Sequence, residues 1–125
     1  LLFIKGGKRM EKYYNYKNNL EIEGNLMKDP VYRSTEEVEA YIFQIASCFY
    51  PNENEKEVYY FDVEVWDKSL SAMCSQLKKG DRIEVIGRLK QHRWQDWHYN
   101  KLSKIVIIAS YLTKKELNSG GQYDF

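Results

Sequence analysis

Tyr59-Tyr60-Phe61-Asp62-Val63-Glu64-Val65-Trp66-Asp67-Lys68-Ser69-Leu70-Ser71-Ala72-Met73-Cys74-Ser75-Gln76-Leu77-Lys78-Lys79-Gly80-Asp81 changes its period midway. Up to Trp66, apolar and polar side chains alternate, as in a half-buried strand. From there Leu70, Met73, Cys74 and Leu77 fall at helical spacing. Asp67 or Ser69 can cap that helix by accepting a backbone N–H bond. Lys78 and Lys79 suit its C-terminal dipole, and Gly80 is a natural stop. Upstream, Val38 to Cys48 reads as another strand, preceded by one in which Leu20, Ile22 and Leu26 alternate with Glu21, Glu23 and Asn25. Gly24 inside it marks a bulge or bend, and Asp29-Pro30 marks a turn. Pro51-Asn52-Glu53-Asn54-Glu55-Lys56-Glu57 reads as a polar, mobile loop. Downstream, Arg82 to Trp94 forms a fourth strand, Gln95 to Lys101 a loop and Leu102 to Leu112 a fifth strand.

Three strands, one helix and two strands follow the order of an OB-fold. That is an all-β, five-stranded Greek-key barrel with one helix between strands three and four. Other small α+β folds share this count. The 125 residues fit one domain, large enough to bury a core without metal or disulfide. Residues 1–18 read as an irregular leader rich in Lys, Asn and Tyr, residues 19–113 as the domain and residues 114–125 as a short tail. Cys48 and Cys74 form no CxxC pair and no metal spacing, so two reduced structural thiols are expected, with no cofactor. Ile105-Val106-Ile107-Ile108-Ala109 is too short an apolar run to span a membrane. Leu1-Leu2-Phe3-Ile4-Lys5 lacks the apolar length of a secretory signal. The expectation is a soluble cytoplasmic protein. Lys5-Gly6-Gly7-Lys8-Arg9-Met10 back-translates to purine-rich codons resembling a ribosome-binding site before an ATG. Met10 as the native start and a genuine N-terminal extension are equally compatible with this.

The formal net charge is +1, but its distribution is uneven. Leu20 to Asp67 holds twelve acids against three bases and sums to −9; Lys68 to Lys115 holds eleven bases against three acids and sums to +8. One basic surface on a near-neutral protein is expected. Alternation separates the faces of the strands. Tyr59, Phe61, Val63 and Val65 should face the core, leaving Tyr60, Asp62, Glu64 and Trp66 outside. In the fourth strand Ile83, Val85 and Leu89 should face inward, with Arg88, Lys90, His92 and Trp94 opposite. Flat rings among cations offer a stacking platform for unpaired bases, at ~1–3 kcal/mol per base, while the cations follow phosphates. Duplex bases already stack on one another, so such a face favours single strands. Any one of these rings serves equally well to cover the barrel or line a subunit interface; the set together favours binding. Trp94-Gln95-Asp96-Trp97-His98-Tyr99 is a dense aromatic run in a loop that contacts ligands in OB-folds. Trp97 is therefore a further stacking candidate, and Arg93 and Lys101 further phosphate candidates.

Gly24-Asn25-Leu26-Met27-Lys28-Asp29-Pro30-Val31-Tyr32-Arg33 resembles the opening strand and turn of bacterial single-stranded DNA-binding proteins. Phe43-Gln44-Ile45-Ala46-Ser47 resembles their second strand, and Tyr60 to Lys68 their third. Leu77-Lys78-Lys79-Gly80-Asp81, through Val85-Ile86-Gly87-Arg88-Leu89 to Arg93-Trp94, is the closest match. The resemblance covers residues 19–113 in segments. It implies an OB-fold, a homotetramer (a dimer being the alternative) and the coating of single-stranded DNA in replication, recombination and repair, as a bacterial nucleoid-associated protein. It places stacking aromatics at Tyr60, Trp66 and Trp94, with a fourth at Tyr50 rather than Phe49. Two departures stand out. The family's acidic tail tip, which recruits replication or repair proteins, is reduced here to Tyr123-Asp124-Phe125. Its strand-three cations are replaced by Asp62 and Glu64, which points to a divergent copy or a primosomal protein.

Three classes of function compete. A non-catalytic single-stranded DNA-binding module follows from the basic-aromatic face. An OB-fold protein–protein adaptor with weak nucleic-acid binding follows from the acidic half. An enzyme finds little support: His92 and His98 are the only histidines, no cysteine has a nucleophile's context, and no P-loop, dinucleotide fingerprint or HExxH is present.

Overall fold

The computed structural model describes residues 13–36 and 39–116, together with the backbone of Ile4–Lys5 and Lys8–Arg9, which pair antiparallel. Met10 and residues 117–125 lie outside the described residues. Six strands build one sheet: β1 (Leu20–Leu26), β2 (Val31–Ser34), β3 (Glu39–Asn52), β4 (Glu55–Val65), β5 (Arg82–Gln95) and β6 (Lys101–Lys114). Their order is β1-β5-β6-β4-β3-β2, and β1 also pairs with β3, which closes the barrel. β1 and β2 lie antiparallel to the same β3 on either side of the Met27–Pro30 turn. They act as one interrupted strand, so the architecture is the five-stranded OB barrel. The β4–β6 contact is parallel, with Val63 opposite Ile107. The other pairings are antiparallel.

Alternation explains the core. Phe43 and Ile45 on β3, Val63 and Val65 on β4, Ile83 and Val85 on β5, and Ile107 and Leu112 on β6 bury one face each. Each fully buried aliphatic side chain contributes about 1.5–3 kcal/mol. Leu70, Cys74 and Leu77 between β4 and β5 join the same cluster. The segment that carries them is shorter than its apolar spacing predicts. A 3-10 turn over Lys68–Leu70 runs into α1, Ser71–Cys74. Asp67 caps the turn, accepting from the Ser69 backbone N–H at 2.9 Å and from the Ser69 hydroxyl at 2.8 Å. Gly80 ends the connection at φ +91, a left-handed conformation that glycine adopts without a Cβ penalty. Its N–H then bonds the Leu26 carbonyl at 2.8 Å.

The structure corrects several sequence expectations. Residues 51–57 are not a loop. β3 and β4 run on past the barrel as a hairpin arm, with Asn52 opposite Glu55 and an irregularity between Phe49 and Asn52. Its tip is held by the Asn52 side chain, which accepts from the Asn54 backbone N–H at 2.9 Å and donates to Glu55 at 2.9 Å. Tyr59 has the inward parity but sits on this arm beyond the core and is 45% exposed. The fifth strand begins at Lys101, so only residues 96–100 turn, and β5–β6 likewise extends past the barrel as a second arm. Leu89, expected to face inward, is 45% exposed at the root of that arm. Gly24 marks a close approach: a Cβ there would meet the Ala46 carbonyl oxygen at 2.7 Å, where β1 passes from β5 to β3.

Candidate nucleic-acid interface

The outer faces of β3, β4, β6 and β5 lie side by side, and register decides what they present. Glu64 is opposite Ile42 and Ile108, and Asp62 is opposite Gln44. Lys90, His92 and Trp94 on β5 face Val106, Lys104 and Leu102 on β6. The even-numbered residues of β4 and β5 therefore share one surface, as alternation requires. Trp66, just past the end of β4, is brought over β5, with the Lys90 ammonium 4.6 Å from its ring centroid. The cation is attracted to the negative ring face.

A groove of about 570 Å³ runs along this surface, lined by Trp66, Trp94, Lys90, His92, Lys104, Arg33 and Ile42, among others. Its floor carries carboxylates as well as cations. Glu64 is buried; it accepts from Trp66 Nε1 at 2.8 Å through one oxygen and meets His92 Nε2 at 2.9 Å through the other. Asp62 accepts from Lys104 Nζ at 3.1 Å and from the Gln44 amide at 3.4 Å. The indole of Trp66 is thus held by hydrogen bond and cation, whereas Trp94 at the groove's far end is half exposed. Tyr60 stands on the same outer face of β4, six residues before Trp66, which is about 20 Å along a strand.

A model of the Single-strand binding protein family matches residues 17–114. The chain belongs to this family. The single-stranded DNA-binding protein of Deinococcus radiodurans is 30% identical over 111 residues, covering 84% of this chain and 35% of that protein. That of Corynebacterium glutamicum is 32% identical over 98 residues, covering 73% and 44% respectively. That of Bacillus cereus is 24% identical over 107 residues, covering 83% and 63%. The chain therefore spans less than two thirds of the length of these relatives. Among solved structures, the Plasmodium falciparum SSB complex with ssDNA superposes with a TM-score of 0.72 at 18% identity, covering 83% of this chain and 99% of that one. That likeness shows the common barrel.

Within this family member the ten residues singled out from sequence fall into separate places. Trp66, Trp94, Lys90 and His92 meet in the groove, with Tyr60 on the same face. Arg88 shares their parity, but lines a small cleft with Asn18, Asn19 and Ser110. Arg93 and Lys101 have the opposite parity on the β5–β6 arm, in a cleft with Gln91, Gln95 and Ser103 that Trp94 and Leu102 also border. Arg93 there donates to the Gln91 side chain at 2.7 Å. Tyr50 lies in the irregular part of β3 and borders a different cleft, with Glu21, Glu23 and Arg82. Trp97 is 83% exposed at the arm's tip, its ring 3.5 Å from that of His98. Sequence reasoning missed Arg33 and Lys104. The signal for Lys104 was parity on the fifth strand; for Arg33 it was absent, because β2 is four residues of exposed edge strand with no apolar alternation.

Elsewhere, titratable groups serve structure. Burial pushes the Cys74 thiol up to about 11, leaving it protonated and unreactive at neutral pH. The Asn100 backbone N–H, with help from the Asn100 amide and the His98 N–H, holds the Asp96 carboxyl below its ordinary value and fixes the arm's turn. The Ser69 hydroxyl and N–H do the same for Asp67. A hydrogen bond to the Glu57 carboxylate raises the Tyr59 phenol. Among the described residues no group of three His, Cys, Asp or Glu is placed to hold a metal ion, and no helix is long and apolar enough to cross a membrane.

Proposed function

We propose that this chain binds single-stranded DNA without catalysis, in replication, recombination or repair. The observation that carries the reading is the groove in which Trp66 and Trp94 flank Lys90, His92 and Lys104. Tyr60, Trp66 and Trp94 supply stacking surfaces; Lys90, His92, Lys104 and Arg33 meet phosphates. A strand leaving the groove reaches Arg88 on the same face, and the two arms bring Tyr50, Trp97, Arg93 and Lys101 within its further course. The folded unit is residues 19–113. The expected assembly is a homotetramer, a dimer being the alternative, in the bacterial cytoplasm.

Tryptophan fluorescence during titration with oligo-dT, against a duplex of equal length, tests this. Two of the three tryptophans line the groove, so oligo-dT quenches the emission deeply and the duplex leaves it largely unchanged. Absence of quenching by both would reassign Trp66 and Trp94 to an interface, in a protein–protein adaptor.

A further inference from the structure

The groove contains its own anions. Asp62 and Glu64 occupy the outer face of β4, where they contact two of the basic side chains offered to DNA: Asp62 holds Lys104 Nζ at 3.1 Å and Glu64 meets His92 Nε2 at 2.9 Å. Both contacts lie on the face that carries Trp66 and Trp94. Glu64 is buried and also anchors the Trp66 indole, while Asp62 is half-buried beside Lys104. A phosphate entering the groove meets Lys104 and His92 already beside a carboxylate. We propose that Asp62 and Glu64 are internal counter-ions that set the affinity and the salt dependence of the groove, with Glu64 in addition the positioning residue for Trp66. The inference rests on the proposed binding of single-stranded DNA.

The physical consequence is specific. Binding to single-stranded DNA releases condensed cations, and log K falls with log salt at about 0.7 per phosphate neutralised. When Lys104 leaves Asp62 for a phosphate, the freed carboxylate takes up a cation or stays as a repelling charge beside the strand. Either outcome offsets the release from that phosphate. The groove therefore binds more weakly at low salt, and loses less affinity as salt rises, than its cations alone imply. Neutralising Asp62 restores the release belonging to the phosphate that Lys104 meets, about 0.7 in the slope.

The test is the affinity for oligo-dT of the full chain, measured across a series of NaCl concentrations for wild type, Asp62→Asn, Glu64→Gln and the double variant. Asp62→Asn tightens binding at low salt by about threefold, the scale of a partly exposed ion pair, and steepens the slope by about 0.7. Glu64→Gln keeps an oxygen that accepts from Trp66 Nε1, so the depth of tryptophan quenching is retained while binding tightens. Glu64→Ala removes that acceptor and reduces the quenching even where affinity is kept. Wild-type slopes and affinities in Asp62→Asn and the double variant, in a protein that does bind oligo-dT, would overturn this inference alone. Failure of the wild type itself to bind oligo-dT would overturn the proposed function, and this inference with it.

Discussion

At the scale of single residues, Trp66 and Trp94 share a face but differ in what holds them. Trp94 is half exposed, so part of its ring is available to a base. Trp66 is clamped between the Lys90 ammonium and the Glu64 carboxylate. Replacing either by alanine removes one stacking surface and weakens oligo-dT binding by ~1–3 kcal/mol. The two variants separate on stability. Trp94→Ala lowers the urea midpoint less, since it removes a half-covered ring and breaks no buried hydrogen bond. Trp66→Ala strips a donor from the buried Glu64 carboxylate and lowers stability by ~1–3 kcal/mol, the cost of leaving a buried acceptor unsatisfied. Equal urea midpoints for the two variants would show that the Nε1–Glu64 bond carries no net energy. Wild-type affinity in both would show that the rings serve packing.

At the scale of elements, the barrel depends on how β5 and β6 bend. Their register shifts between Ile86 and Gly87, leaving Ser110 between partners, and its hydroxyl donates to the Ile86 carbonyl at 3.1 Å. Such a bulge bends the strand and increases its twist. Gly87 makes the bend possible, because a Cβ there would lie 2.1 Å from the Ile108 carbonyl oxygen. That atom is backbone and cannot swing aside. Gly87→Ala is expected to cost about 2–3 kcal/mol, at the upper end for overpacked sites, read as a lower urea midpoint; an unchanged midpoint would mean that the bulge relaxes freely. This feature was not legible in the sequence, where Gly87 is simply a small residue in an alternating strand. Alternation did make legible the outer row of Tyr60, Trp66, Lys90, His92 and Trp94, because no bulge in β4 or β5 breaks the parity between them. It failed where strands outran the core. Tyr59 and Leu89 keep the inward parity, but lie on arms with no opposing layer to cover them. Length was misread at the Pro51–Glu57 stretch, since polar side chains on a two-sided exposed hairpin look like a loop. Arg93 and Lys101 were singled out as cations near the aromatic run, although their odd numbers give them the opposite parity on the arm.

At the scale of the whole molecule, the −9 and +8 halves of the sequence do not become an acidic and a basic face. The barrel interleaves them. Glu23 pairs with Arg82, Glu39 with Lys68 and Asp62 with Lys104, each across the boundary between the two halves. The basic surface expected from sequence is therefore partly neutralised on folding, and the groove is mixed in sign. The same interleaving sets the limits of the folding unit. Every member of the core cluster falls between Leu26 and Leu112, with Leu20 and Ile22 packed against it. Just upstream of β1, the Asn18 side chain accepts from the Leu89 N–H at 2.9 Å and donates to the Leu89 carbonyl at 2.8 Å. It continues the β1–β5 ladder, which ends at Leu20 opposite Gly87, by two more bonds without a strand. Tyr13, Tyr14 and Tyr16 before it are exposed. The proposed unit of residues 19–113 predicts that a chain lacking residues 1–12 keeps both the wild-type urea midpoint and the wild-type oligo-dT affinity. Asn18→Ala, with those residues present, loses two hydrogen bonds at an exposed site and about 1–2 kcal/mol of stability. If the truncated chain were the less stable of the two, the folding unit would have to begin before residue 13, and the proposed domain start at residue 19 would move with it.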